Sequence, residues 1–390
     1  MKHKPLLILS LAAAMLGSCA NAPTHEAVKP FFSMDNLCEL YRDTLANIDG
    51  STYMLVSYVD TLNEKSRACI VEKRANDSVV HQVNVLPNEG RVLPDGHTLR
   101  LEHYAYHRDY DIRNLPAHLY FMPIDSVKGY VKKQVNFPSS GDSASRCVLA
   151  AHALLPEDAA GQTACLQRIS DYLDIIQKGT PETFETLFGR FYQQRLEEWD
   201  DDFDTFAPED RPMYSYDFEM LPLWVDSRSQ LTTYYVAHDN YMGGAHGMPL
   251  DYYFTYAPGQ RTPLGWADVF DSERFDKVFA LISKKLADRW KTAYDTDVND
   301  TDMWNDHAYI DDYDPNADGI IKAPNPSDPV EKIGDKYYPR PALCDRGVVF
   351  MYQVYVKDCF AAGPVVVVLT WDELKGCLKT GGYDFKPMDE

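Results

Sequence analysis

Tyr241-Met242-Gly243-Gly244-Ala245-His246-Gly247 brings a single imidazole to the end of a glycine-rich turn. Paired glycines permit positive φ and close backbone approach. Ala245 adds no bulk, and aromatic runs stand on both sides, as a hairpin connection requires. His246 is then held at the rim of the second strand. Three roles stay open to it there: satisfying turn carbonyls, contacting a ligand, or moving protons. Proton transfer needs a base and an orienting group in defined geometry, which spacing alone does not supply. Tyr241, Gly243, Gly244, Ala245 and His246 are therefore candidate binding residues, and no catalytic residue is assigned. His238 and Asp239 lie close enough in sequence to join His246 on a metal, although their spacing is no recognised signature.

Asp314-Pro315-Asn316-Ala317-Asp318-Gly319-Ile320 sets oxygen ligands at alternate positions before a glycine. That is the first half of an EF-hand calcium loop, with Asp314, Asn316 and Asp318 as candidate ligands. Position twelve of such a loop carries a bidentate Glu; here it is Asn325, and Pro324 and Pro326 deny it the following helix. An ordinary acidic turn is the competing reading. His103 and His107 are four apart, which suits a metal on a helix, but Glu102–Tyr106 reads as a strand. Nucleophile-elbow, zincin, phosphate-loop and dinucleotide motifs are absent, as is any C-x-x-C.

Cys19 is marked for a different chemistry. Leu16-Gly17-Ser18-Cys19 follows Lys2, Lys4 and the apolar run Leu6–Met15, the charged-then-apolar layout of a secretory signal. A run of ten residues is too short to cross a hydrocarbon core of roughly 30 Å as a helix. The small residues before the cysteine resemble the lipobox of bacterial lipoproteins. That resemblance implies cleavage before Cys19 and acyl chains, such as palmitate, on its sulfur and amine. Several chains on one residue anchor a protein stably, whereas one chain binds only marginally. The expected location is the bacterial cell envelope, facing the periplasm if there are two membranes.

Loss of Lys2 and Lys4 with the signal removes two positive charges, taking the net charge from −21 to −23. So acidic a chain has no electrostatic footprint for nucleic acid. It repels anionic lipid, so the membrane is reached through lipidated Cys19 alone. Its charge attracts cationic partners and equally serves solubility. The seven cysteines after Cys19 sit where disulfides are permitted, and seven is odd, so one at least is a thiol or pairs between chains.

These residues need elements to position them. Thr52–Val59, Ala68–Val71, Val79–Leu86 and Leu99–Tyr106 read as strands, with turns at Asn88-Glu89-Gly90 and Pro94-Asp95-Gly96. Cys165 to Ile176 recurs at helical spacing. A second helix starts at Thr180-Pro181, carries Phe184 to Trp199 as its apolar stripe and stops at Asp200-Asp201-Asp202. Leu231–His238 and Asp251–Tyr256 flank the glycine turn as strands, and Phe275 to Trp290 forms one face of a further helix. Val348–Val356 and Val365–Leu369 are β-branched strands, and Thr370-Trp371-Asp372-Glu373 opens a final helix with a capping box. Runs of strands and runs of helices predict an α+β fold. Antiparallel sheets with packed helices are expected after a small β-rich module.

The aromatic Tyr241 with Gly243–His246, Leu264–Phe270, Gly347–Phe350 with Tyr352 and Tyr355, and Ala361–Pro364 together resemble a known family. It is the C-terminal ectodomain of the lysozyme-sensing anti-sigma factor RsiV, a domain of unknown function also found in the peptidoglycan deacetylase PdaC and in many lipoproteins. Phe360 stands where the family pattern has tyrosine. The resemblance covers roughly residues 140–380. It implies a binding ectodomain rather than a catalyst, since the acidic and histidine motifs of a deacetylase are not found. The expected organisation is a signal at 1–18, a tether at 19–35, a β-rich module at 36–135, a helix-and-strand part of the ectodomain at 136–225 and an RsiV-like α+β domain at 226–390. The expected role is non-catalytic binding or sensing of a cationic protein, with lysozyme the candidate, or of a cell-wall component. An envelope hydrolase or deacetylase-type enzyme centred on His246, and a purely structural lipoprotein, are the alternatives.

Overall fold

Short apolar runs build an N-terminal sheet from β1 (Leu37–Ile48), β2 (Ser51–Asp60), β3 (Lys65–Lys73), β4 (Ser78–Val83) and the two-residue β8 (His118–Leu119). Their order is β1-β2-β3-β4-β8, antiparallel except for the β4–β8 pair. The computed structural model describes residues 37–60, 65–75, 77–83, 87, 89–103, 106–119, 122, 127–137, 147–175, 183–202, 204–206, 213–225, 230–242, 247–294, 308, 329–353, 356–357, 364–380 and 383. Contacts divide the chain into Met1–Leu86 with Leu115–Leu119, and Pro87–Asn114 with Tyr120–Glu390. In the first unit Met54, Val56, Tyr58, Cys69 and Val71 form the core. Edge strand β1 carries two register shifts, irregularities of the kind that blunt an edge against further pairing.

The second unit begins with a three-stranded antiparallel sheet of β5 (Glu89–Val92), β6 (Thr98–His103) and β7 (Tyr106–Asp111). Pro94-Asp95-Gly96 is a turn, as expected. The Asp95 carboxylate accepts from the backbone N–H of His97 and Thr98 and from the Thr98 hydroxyl, which holds it down to about 2. Glu89 and Gly90 are not a turn but part of β5, paired with Glu102 and Leu101. The strand expected over 99–106 is two strands, with His103 opposite Tyr106.

The central sheet follows: β9 (Tyr130–Phe137), β10 (Cys147–Pro156), β11 (Tyr214–Val225), β12 (Thr232–Met242) and β13 (Met248–Tyr256), ordered β13-β12-β11-β10-β9. β10 and β11 are parallel neighbours. A parallel pair needs a crossover, and α1 (Ala159–Tyr172) and α2 (Phe184–Asp202) supply it. Asp158 caps α1 by accepting from Gly161 N–H, and the Thr183 hydroxyl accepts from Thr186 N–H at the start of α2. Thr180 and Pro181 lie outside the described residues; the helix begins at Phe184 and ends at Asp202.

Period-two alternation sends one face of this sheet to the helices. Leu149, Tyr216, Phe218, Val236 and Phe254 pack there on Ile169, Phe188 and Phe191. Arg168 fastens α1 to the turn after β13. Its guanidinium donates to the carbonyls of Gln260 and Ala257 and lies 4.2 Å over the Tyr256 ring. On the opposite face the Thr233 hydroxyl donates to the Leu343 carbonyl, while Leu343 N–H donates to the Thr255 hydroxyl, each at 2.7 Å. These bonds dock a closing layer.

That layer has α3 (Trp266–Val269), α4 (Phe275–Tyr294), a hairpin of β14 (Val330–Ile333) and β15 (Lys336–Pro339), and a sheet of β16 (Ala342–Cys344), β17 (Gly347–Tyr352) and β18 (Val365–Thr370). Trp266 centres its core. The indole touches Phe270, Phe279 and Phe350 at ring distances of 4.9–5.2 Å and donates to the Pro339 carbonyl. The expected final helix is not regular. Thr370 and Glu373 make the capping box, but residues 371–377 form only successive turns. The fold is α+β, with mostly antiparallel sheets, few helices and a β-rich N-terminal part.

Candidate functional site

Tyr241 lies near the end of β12, opposite Ser215 of β11. Gly243, Gly244, Ala245 and His246 lie outside the described residues, and Tyr241 alone of the five lies within them. What it shows is the pair of strands that carry the turn. At Gly247, a Cβ would stand 2.9 Å from Asp239 Oδ1 and 3.3 Å from the Asn240 carbonyl oxygen. The chain therefore returns close against Asp239 and Asn240, and a side chain at this position would displace the Asp239 carboxylate. Alternation along β12 separates the groups that spacing suggested might converge. His238 pairs with Phe218 on the helix-facing side, and Asp239 pairs with Asp217 on the other. Neighbouring residues of a strand point to opposite faces, so His238 and Asp239 cannot share a metal with His246.

The helix-facing side holds a polar cluster that the sequence reading did not assemble. His238 is set edge-on to Tyr172, Phe191 and Phe218 at 6.1–6.4 Å. Its Nε2 is buried without a partner, as are Asn240 Oδ1, Tyr216 Oη and Arg195 Nε. Asn240 and Tyr216 are cross-strand neighbours, and the Arg195 guanidinium lies 5.9 Å over the Tyr216 ring while its Nη2 pairs with Glu198 at 2.7 Å. Burial, helped by Arg195, pulls His238 down to about 4. Burial also pushes the Tyr216 phenol up and the Cys147 thiol up to about 11. At neutral pH these are a neutral imidazole, a phenol and a thiol, without an ionised base or nucleophile among them. The available signal is His238 and Asn240 at alternate positions of the strand, following Tyr234 and Val236 on the same face.

The outer side of the same strands is acidic. Asp217 and Asp239 are exposed and directly opposite one another. Glu219, two residues along, meets His152 Nδ1 at 3.1 Å, and Asp251 accepts from the Tyr235 hydroxyl at 2.7 Å. Burial raises Asp239, while a hydrogen bond from the Asn240 backbone opposes the rise. Like charges directly opposite in an antiparallel pair cost stability.

The other sequence candidates do not gather into sites. His103 and His107 stand on the adjacent strands β6 and β7, where His103 faces Tyr106 and His107 faces Glu102. They therefore occupy opposite faces of a hairpin rather than one face of a strand. Among the described residues no group of three His, Cys, Asp or Glu side chains could hold a metal, and no helix is long and apolar enough to cross a membrane. Asp314, Asn316 and Asp318, like Cys19, lie outside the described residues. Cys165, Cys344 and Cys377 are buried thiols in no disulfide. Within the family-like segments, Trp266, Phe350 and Tyr352 are wholly buried core residues. Ala361, Ala362 and Gly363, with Tyr355 and Phe360, lie outside the described residues.

No protein-family model matches the chain, and no curated protein matches its sequence. Its neighbours among solved structures are DUF3298 proteins. A DUF3298 family member from Bacteroides fragilis is 18% identical, with 64% of this chain and 93% of that one covered, at a TM-score of 0.45. A DUF3298 family protein from Pseudomonas aeruginosa is 16% identical over the same shares, at a TM-score of 0.41.

Proposed function

We propose that this chain is a lipid-anchored envelope lipoprotein of the RsiV-like ectodomain kind, serving as a non-catalytic module that binds or senses a cationic protein. Lysozyme is the candidate partner, and a cell-wall glycan is the other ligand class considered. The single observation that carries the reading is the exposed Asp217–Asp239 pair on the outer face of β11 and β12, beside the strand ends that lead into the Gly243–His246 turn. Two carboxylates held opposite each other form a docking point for Lys or Arg. The net charge of −21 extends the attraction beyond the contact. The neutral His238 and the protonated thiols and phenols beneath the same strands favour recognition over catalysis.

Surface plasmon resonance on immobilised lysozyme tests this. Asp217→Asn with Asp239→Asn should slow association several-fold at low salt, because long-range charge acts mainly on the on-rate. His246→Ala should speed release instead, through short-range contacts. A chain that binds no lysozyme even at low salt overturns the lysozyme reading. Unaltered kinetics in the double variant overturn the acidic face as the docking point.

A further inference from the structure

Among the described residues the exposed large apolar side chains are Phe206, Met213, Val225, Met242 and Tyr294. Three of them gather at one end of the central sheet. Met242 is the last residue of β12 and pairs with Tyr214, the first residue of β11. Met213 directly precedes Tyr214. The Tyr214 hydroxyl donates to Asp202 Oδ2 at 3.1 Å, which fastens the last residue of α2 to this same end. Phe206 lies only a short stretch beyond Asp202, so the chain carries it no more than about 14 Å away. Phe206 and Met213 are 50% exposed and Met242 is 55% exposed. Apolar side chains scattered singly over a surface need no explanation, but a group of them with a polar rim marks an interaction surface. Methionines suit such a surface, because an unbranched thioether adapts to an irregular partner.

The rim is acidic. Asp200, Asp201, Asp202 and Asp204 are exposed, and residues 197–206 contain no Lys or Arg. The C-terminus of α2 adds partial negative charge of its own through its last carbonyls, and no basic residue stands in its last turn.

This combination sorts the occupants that could cover the patch. A second copy of the chain, docked by two-fold symmetry, would set the same carboxylates against each other. An anionic lipid surface is repelled by the same charges. A partner that carries basic residues beside apolar ones meets both demands. Its apolar side chains cover the methionines and Phe206, and its Lys or Arg meet the aspartates and the helix end.

We propose that this end of the central sheet docks a basic amphipathic helix of a partner protein, its apolar stripe on Phe206, Met213 and Met242 and its cationic flank along Asp200, Asp201 and Asp204. Such helices present apolar residues at i, i+3, i+4 and i+7 to the surface that takes them. The surface is distinct from the Asp217–Asp239 docking point. Met242 pairs with Tyr214, a residue of the helix-facing core, whereas alternation along β12 puts Asp239 on the other side. The inference therefore rests neither on that pair nor on lysozyme.

A fluorescein-labelled peptide of leucine and lysine, with leucines at the helical spacing, is titrated into the full chain and followed by fluorescence anisotropy. A scrambled peptide of the same composition is the control. The patterned peptide should bind saturably and about tenfold tighter than the scrambled one, because only a continuous apolar stripe covers the patch. Met213→Ser with Met242→Ser, both at exposed positions, should weaken the patterned peptide about tenfold and leave the scrambled one unchanged, with the unfolding midpoint kept. Asp200→Asn with Asp201→Asn and Asp204→Asn should weaken both peptides. The absence of saturable binding, or equal affinity for the two peptides, overturns the docking site. Patterned-peptide binding undiminished by the methionine changes overturns its location. A dimer of the wild-type chain in sedimentation that the methionine changes abolish would put a second copy in place of the partner helix.

Discussion

His238 shows how a buried group ties stability to pH. Its folded pKa of about 4 lies below the ordinary 6.5, and burial brings His103 to about 4 as well. Above pH 6.5 both states are neutral at these rings and nothing is lost. Between 6.5 and 4 the unfolded chain takes up protons that the folded chain refuses, so stability falls as pH falls. Each histidine contributes about 1.4 kcal/mol per pH unit across that window. His238→Phe suits the aromatic surroundings of Tyr172, Phe191 and Phe218 and removes an unsatisfied nitrogen, so it should be neutral or stabilising at pH 7. Denaturant melts at pH 7, 5.5 and 4.5 should show about one fewer proton taken up on unfolding in the variant. An unchanged pH slope would mean that His238 is charged or solvated in the fold.

At the scale of elements, the docking of the closing layer is the most exposed to single changes. A Cβ at Gly347 would stand 1.9 Å from the Leu369 carbonyl oxygen, a backbone atom of the paired strand. Gly347→Ala must therefore part β17 from β18 and should cost about 4 kcal/mol or more, among the large single-site effects. Thr233→Val keeps the shape but strips the hydroxyl from the Leu343 carbonyl, which should cost about 1–3 kcal/mol, read as a lowered denaturation midpoint. Elements with a strong period were legible in sequence: the stripe from Phe184 to Trp199, the face from Phe275 to Trp290, and the strands around the glycine turn all match α2, α4, β12 and β13. Those set by tertiary context were not. β6 ends at His103 and β7 begins opposite it at Tyr106, yet the sequence between them has no Gly, Pro, Asn or Asp to announce a break. Gly90 reads as a turn residue, yet pairing with Leu101 places it in a strand. Parallel pairing of β10 with β11 depends on where two helices dock, and no local pattern encodes that. The same limit hid the polar cluster, because Arg195, Tyr216 and His238 come from three elements and meet only in the fold.

For the whole molecule, charge and the proposed lipid anchor pull in different directions. A mature chain at −23 is repelled by anionic lipid, so on the proposed reading only the acyl chains on Cys19 keep it at a membrane. That separates it from proteins held by basic patches, whose attachment weakens as salt shortens the Debye length from about 10 Å at 0.1 M to about 3 Å at 1 M. Washing membranes with 1 M salt should therefore leave the wild-type chain in place, or hold it more firmly as the repulsion is screened. Cys19→Ala should leave the protein soluble or stalled as a precursor, since no other cysteine follows a comparable small-residue stretch. Fractionation with and without the salt wash separates the two attachments. Wild-type protein released by salt would put electrostatics in place of the lipid. Cys19→Ala protein that stays membrane-bound with its signal removed would end the lipoprotein assignment, and would shift attention to a protein partner that holds the chain at the envelope.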